Sequence, residues 1–401
     1  MVAALAHSMV SQQGWRVETR DAGLHLSGVC DVWTKLAVTM RHRRAGGWTL
    51  TLPGGHTQAG LFAEGTGIIL WAPWSTDTPM MSGPVTGISV ATPSVSEPAM
   101  MTVTGVDDTA LLADRIVLPD PSSSMDSQAS ESHWTDLGPA EACIRRVVNL
   151  NAGLGATPGR GICDADPYTV LPGGVGTVRN VVARFDNLLT LIDELATIDN
   201  LSVRLIQPPG LDQRHLEVAA TVDRTDSILL AQAAGTLTSA TANLEAPKAT
   251  TVLVAGGGEG EARILVQRDD PVLEADWSRR IETFRDARDT SELDELAQRG
   301  DETLAEAAAT AGIAVQPVDT DSQRFGEHYR LGDTVRIEVG AATYTEIITG
   351  VQISVDQSAT AIVPLIGDED AAAAGTPAST PAIYARVRDI RRRLEALERR
   401  Q

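Results

Sequence analysis

Two kinds of residue pattern in this sequence have the spacing to do chemistry. In ATTVLVAGGGEGEARILVQ an apolar run meets a glycine turn, and Gly256, Gly258 and Gly260 spell G-x-G-x-G. Such a turn cradles phosphate when its backbone N–H groups converge and a helix N-terminus follows. Here EARILVQ reads as a strand, the further glycine of G-x-G-x-x-G is displaced and no Walker lysine follows. A hairpin or a loop at a subunit contact is the expectation. Carboxylates crowd at Glu282, Asp286 and Asp289, and again at Asp223 and Asp226 in VDRTDS. Two carboxylates can share acid and base duty in glycoside cleavage. A solvated acidic face, with a local ion pair at the Asp-Arg-Thr turn, is the simpler expectation. The seven histidines form no HExxH and no metal-ligand cluster, and no G-x-S-x-G elbow occurs. Catalytic residues, cofactors and metal ligands are all expected to be none. Cys30, Cys143 and Cys163 are widely spaced and odd in number, which predicts free buried thiols and synthesis in a reducing compartment.

Those groups sit on a long acidic chain. Its 401 residues support two to four domains, since single cores stop growing near roughly 250 to 300 residues. Core material is plentiful at 43% hydrophobic, although aromatic residues are only 4%. The net charge is -20, yet Tyr384–Gln401 carries seven Arg against three acids, a local +4 that leaves -24 on the rest. Phosphate contacts need a cationic footprint, so broad nucleic-acid binding by the body is excluded. The opening MVAALAHSMV lacks a basic segment followed by an apolar core, and no apolar run approaches the roughly 20 residues that span a bilayer. Neither export by a signal peptide nor membrane insertion is expected.

The elements alternate along the chain. Trp15 to Val117 reads as β, with short apolar or alternating runs between Gly/Pro turns, the pattern of an antiparallel barrel or sandwich. Trp33, Trp48, Trp71 and Trp74 are expected in its core or rim rather than on a ligand platform. Asp107–Ala113 resembles a short helical passage, and the Ser-rich stretch 121–138 a linker or loop. Pro139 opens a helix through AEACIRRVVNLN. A second follows in RFDNLLTLIDELATI, capped by Asp186 or Asn187. The strands LSVRLIQ and HLEVAATV make 139–245 an α+β domain. Residues 246–370 read as a second β-rich domain with an inserted helix at 291–311, ended by Gly312. The fold class is α+β and β-rich, and β segments at both ends are compatible with a split or duplicated barrel.

Beyond a flexible linker at 371–381, the segment 382–401 predicts a short amphipathic helix. Ile383, Val387, Ile390, Leu394 and Leu397 follow each other at 4, 3, 4 and 3 residues, one apolar stripe flanked by Arg and Glu. Barely more than two heptads are marginal in water alone, so this oligomerisation helix reinforces an assembly rather than creating one.

Taken in order, GGWTLTLPG at 46–54, GVDDTALLADRIVLPDP at 105–121, VVNLNAG at 147–153, FDNLLTLIDELA at 185–196 and VDRTDSILL at 222–230 resemble the Gp37-like family of siphophage tail proteins, of the kind carried by actinobacteriophages. So do PKATTVLVAGGGEGEAR at 247–263, WSRRIETFRDARD at 277–289 and FGEHYRLGDTVRIEV at 325–339. The resemblance implies a structural virion protein at the tail tip or baseplate, made in the host cytoplasm. It implies a multidomain fold like that of baseplate hub proteins, with β-barrel domains and an α/β middle. Such hubs commonly form a threefold ring joining the tail tube to the fibre or spike. The partners it implies are its own copies as a trimer, a distal tail or tail tube protein, and a tail fibre, spike or receptor-binding protein. DNA would pass through the ring without specific binding, and acidic groups on the channel wall would repel its phosphates. Two other readings stand beside it: a carbohydrate-binding or wall-degrading tail component using exposed tryptophans, and an adaptor of a tail-derived injection device.

Overall fold

The computed structural model describes residues 13–367, apart from 76, 93–97, 166–173, 245, 308–310, 318–319, 321 and 341. The oligomerisation stripe Ile383, Val387, Ile390, Leu394 and Leu397 and the linker 371–381 lie outside the described residues. The chain divides into two units, one of residues 1–240 with 315–366 and one of residues 241–314 with 367–401.

Seven strands open the first unit: β1 Arg16–Arg20, β2 Leu26–Cys30, β3 Lys35–Arg41, β4 Gly47–Pro53, β5 Gly67–Trp71, β6 Met81–Ala91 and β7 Met100–Val106. Alternation drives them. In β4 the side chains of Trp48, Leu50 and Leu52 are buried while their neighbours are half-exposed, and Met101 and Val103 of β7 do the same. Period-2 burial of this kind is a sheet with one face on a core. A 3₁₀ turn, Asp108–Asp114, follows β7 where a short helical passage is expected, with the Asp107 side chain accepting from the Ala110 N–H.

The middle of the chain builds a second core. β8 Trp134–Pro139 pairs antiparallel with β9 Val178–Ala183, and β10 Leu201–Ile206 with β11 His215–Ala220. Helix α1, Ala140–Ala152, starts directly after Pro139, and α2, Leu188–Thr197, is capped by Asn187, whose side chain accepts from the Thr190 N–H. Cys143, Ile144, Val147 and Val148 of α1 pack with Leu188, Leu191 and Ile192 of α2 and with Val181, Leu201 and Leu216 of the strands.

Two short strands, β12 Leu229–Ala231 and β13 Leu237–Leu244, lead out of this unit. The second unit holds β14 Thr251–Ala255, β15 Leu265–Asp269 and β16 Glu282–Asp286, in the order β15-β14-β16. β14 pairs antiparallel with β15 and parallel with β16, and the short helix α3, Pro271–Trp277, lies between β15 and β16 in sequence. Helix α4, Leu293–Glu306, supplies Leu296 and Leu304 to a small core with Val252, Val254 and Ala287. The helix expected over 291–311 is therefore shorter. Its C-cap is Ala307, and β17, Ala311–Pro317, takes up the residues around Gly312. The β-branched Ile313 and Val315 alternate with Gly312, Ala314 and Gln316 there, a period of two that favours a strand.

The chain then returns to the first unit through β18 Thr334–Val339, β19 Ala342–Asp356 and β20 Thr360–Gly367. β19 is antiparallel to β3, from Gly350 opposite Arg41 to Asp356 opposite Lys35. The sheet path runs β20-β19-β3-β4-β7-β6-β5-β1-β2, with β18 between β19 and β12 off that path. Within the stretch 246–370, residues 246–314 fall in the second unit and residues 315–366 in the first. The overall class is α+β and β-rich, as the alternation predicts.

Candidate functional site: two buried polar joints

The first joint begins at the last residue of β1. Arg20 is 1% exposed and its guanidinium grips Asp108, which is 0% exposed, through Nη1 to Oδ2 at 2.8 Å and Nη2 to Oδ1 at 2.6 Å. Asp108 opens the 3₁₀ turn and also accepts from Ser82 Oγ of β6 at 2.6 Å and from Arg214 Nε, just before β11, at 2.7 Å. Arg20 Nη1 further donates to Gln207 Oε1 at 2.8 Å, and the Gln207 amide nitrogen donates to the carbonyls of Leu24 and Leu211 at 2.7 Å each. One network therefore ties the N-terminal sheet to the β10–β11 hairpin. Burial by itself would push the Asp108 carboxyl up, but Arg20, Arg214 and Ser82 outweigh it and hold it below its ordinary value. With four donors on its two oxygens, Asp108 has no lone pair aimed at a substrate.

Beside it, Asp107 accepts from the Gly46 N–H at 2.8 Å and the Ala110 N–H at 3.0 Å. Burial raises its carboxyl to about 7.

The second joint sits where β3 ends. His42 Nε2 meets Asn200 Oδ1 at 3.1 Å, and Asn200 Nδ2 donates to Thr221 Oγ1 at 2.8 Å and to the Gly332 carbonyl at 2.9 Å. Asp333 accepts from Arg224 Nε at 2.8 Å and from the backbone N–H groups of Val222 and Arg330. His42 is buried, its Nδ1 has no hydrogen-bond partner, and burial pushes its pKa down to about 4. A neutral ring with one donor and one acceptor is the form this site holds.

Trp15, Trp74, Phe325 and Tyr329 form a row of rings. Trp15 and Trp74 meet edge to face at 5.4 Å, Trp74 and Phe325 at 6.5 Å, and Phe325 and Tyr329 at 5.7 Å. Gly326 lies against Trp74 with φ of +87°, where a Cβ would come within 2.0 Å of Trp74 Nε1. Trp33, Trp48 and Trp71 are buried and Trp74 is half-buried, which places all four in the core or its rim.

The residues singled out for chemistry are not brought together. Glu282 pairs with Arg280 at 3.0 Å, Asp286 with Arg263 and with Arg288 at 3.1 Å, and Asp289 with Arg299 at 2.6 Å. Asp223 accepts from the Thr225 N–H while its neighbour Arg224 turns to Asp333. At the glycine turn, Arg263 donates to the carbonyls of Ala255 and Gly256, and β15 follows after one 3₁₀ turn, Gly260–Ala262. A phosphate would meet there neither converging N–H groups nor a helix N-terminus. Cys30, Cys143 and Cys163 are free and buried, and among the described residues no group of three or more His, Cys, Asp or Glu is placed to hold a metal ion. Arg20, Asp108, Gln207 and His42 were not legible as a site. The one local signal is Leu331-Gly332-Asp333, a glycine turn just ahead of β18 where Asp333 accepts from the Val222 and Arg330 N–H groups.

The fold is α+β and β-rich, and it resembles that of phage tail proteins. The 43 kDa tail protein of prophage MuSo2 from Shewanella oneidensis is similar at a TM-score of 0.55 and 13% identity, over 89% of this chain and 99% of that one. A tail protein from Neisseria meningitidis MC58 gives 0.51 at 11% identity, over 89% and 97%. Prophage tail protein gp18 from Listeria monocytogenes EGD-e gives 0.50 at 11% identity, over 94% and 99%. No curated protein matches the chain. The chain belongs to the siphovirus ReqiPepy6 Gp37-like protein family, which it matches over residues 16–368.

Proposed function

We propose that this chain is a baseplate hub subunit, a minor tail protein that closes into a threefold ring between the tail tube and the tip or fibre apparatus of a siphophage. Family membership over residues 16–368 carries this reading, supported by a fold shared with phage tail proteins over nearly their whole length. Subunits pair through the edges of barrel-like sheets, since a closed ring hides strand edges that would otherwise template aggregation. The helix predicted over 382–401 reinforces the ring through Ile383, Val387, Ile390, Leu394 and Leu397. Its neighbours in the virion are a distal tail or tail tube protein on one side and a fibre, spike or receptor-binding protein on the other. The -24 charge outside Tyr384–Gln401 favours a channel wall that repels DNA phosphates during passage.

Asp108, whose oxygens are fully occupied by four donors, supports an architectural rather than a catalytic role for the first joint. A glycan platform calls for clustered exposed tryptophans, and Trp15, Trp33, Trp48, Trp71 and Trp134 are buried instead.

Light scattering on the full chain and on a chain ending at Pro381, across a concentration series, tests the proposal. A mass of three chains that falls on truncation is expected. A trimer that survives truncation moves the assembly interface into the β domains. Monomers in both, still monomeric when mixed with purified tail tube, would overturn the hub reading.

A further inference from the structure

Among the described residues, the three-stranded sheet of the second unit is covered by a helix on one face only. Val252 and Val254 point into the core under α4, and Arg285, on the same side of β16, donates to Thr303 of α4 at 3.2 Å. Period-2 alternation sends Leu253, Leu265 and Phe284 to the opposite face, where they are 37%, 57% and 57% exposed. Leu253 is in register with Phe284 of β16, and Ala255 with Leu265 of β15, so the three apolar side chains form one patch. α3 buries no residue and does not cover it. β14 and β16 are parallel, and sheets with parallel strands are normally covered by helices on both faces. A patch of this kind lacks its second helical layer.

The rim of the patch carries Arg263, over the Phe284 ring at 5.8 Å, and three carboxylates that are ion-paired with Arg263, Arg280 and Arg288. Asp269, Glu282 and Asp286 stand on the same face, and residues 246–307 hold fifteen acids against eight basic residues. Outside the described residues the chain has one segment whose spacing predicts a single apolar stripe, Ile383 to Leu397, and that segment carries +4. Apolar stripe and charge both complement the open face. Surface ion pairs such as Arg280 with Glu282 are weak enough to exchange for new arginine partners.

We propose that the open face at Leu253, Leu265 and Phe284 is the docking surface for the C-terminal stripe of a neighbouring copy, completing a helix-sheet-helix sandwich across the subunit boundary. This rests on the reading of residues 382–401 as an assembly element. Apolar contact supplies the affinity, and the arginines around the stripe orient it on the carboxylates of the rim.

The full-length chain carrying Phe284→benzoylphenylalanine tests the contact. Irradiation is expected to join position 284 to residues 383–397, at the mass of two chains. Hydrogen exchange of residues 383–397 in the full chain is expected to speed up at least tenfold on Phe284→Asp or Leu265→Asp, while exchange at β3 and β4 stays unchanged. Cross-links to any other segment, a product of one-chain mass, or exchange at 383–397 unmoved by both substitutions would overturn the proposal. Light scattering separates the two failures. Trimers with cross-links elsewhere sink only the docking surface, whereas monomers at every concentration sink the assembly on which it rests.

Discussion

Arg20 and Asp108, separated by 88 residues, form a two-point ion pair at 2.6 and 2.8 Å from which solvent is wholly excluded. A charge pair this deep is seldom a net gain over apolar packing, because both ions lose their hydration. Its value is geometric. A bidentate guanidinium accepts a carboxylate in one orientation, so the pair sets how the 3₁₀ turn at Asp108–Asp114 meets the end of β1. Ser82, Arg214 and Gln207 extend that constraint to β6 and to the β10–β11 hairpin.

Removing one partner strands the other. Asp108→Ala leaves the Arg20 and Arg214 guanidinium groups facing a void, and a loss of about 3 to 5 kcal/mol is expected. The double variant Arg20→Met with Asp108→Leu is expected to lose less, since only Arg214, which is 16% exposed and keeps the Ile162 carbonyl, is left without its carboxylate. Urea midpoints of the three variants check both statements, and an unchanged midpoint for Asp108→Ala would remove the pair from the architecture.

Two groups make stability depend on pH in opposite directions. Asp107 has a folded value of about 7 against an ordinary 3.8, so between these limits the folded state holds a proton that the unfolded state has released. Its contribution therefore falls as pH rises from about 4 to 7. His42 has a folded value of about 4 against 6.5, so there the unfolded state holds the extra proton, and its contribution is lost as pH falls from 6.5 toward 4. Urea unfolding at steps from pH 4 to 7 is expected to show a steeper rise with pH in Asp107→Asn than in the unaltered chain. His42→Gln should tilt the curve the other way.

Glycine is required at 332 for two reasons and at 340 for one. Gly332 has φ of +86°, and a Cβ there would lie 2.4 Å from His42 Cε1 and 2.5 Å from Thr221 Cγ2. Gly340 has φ of +64° with nothing within 4 Å. Backbone strain alone costs about 1 to 2 kcal/mol for an L residue in this region. Thermal melts are expected to rank Gly332→Ala well below Gly340→Ala; equal losses would mean that the His42 joint yields freely.

Burial raises the thiols of Cys30 and Cys143 to about 11 and that of Cys163 to about 12. Thiolate is the reactive form, so at pH 8 none of the three should react with Ellman's reagent in the folded chain. All three should react in denaturant. Fast modification of even one in buffer would place it nearer solvent than the fold does.

Local physics made much of the fold legible. Asn187 caps α2 because its side chain satisfies an orphan N–H of the first turn, and Leu188, Leu191, Ile192 and Leu195 repeat at the helical period. The glycine turn reads as a hairpin from its flanking strands, and β14 and β15 pair across it. The end of α4 was less legible. SELDELAQRGDETLAEAAATAG is rich in good helix formers up to Gly312, and the helix stops at Glu306 where Ala311–Pro317 is taken up as β17.

By itself, then, the sequence determined most of the strands, the helices α1 and α2 and the body of α4, the family, and the absence of a recognisable catalytic motif. Each of those depends on residue types within a few positions of one another. Only the tertiary structure decided that β19 lies beside β3, that Arg20 finds Asp108, and that one face of the β14 sheet stays open. Pairings across such distances leave no periodic trace, because a strand's alternation records that one face is buried and not which strand lies beside it.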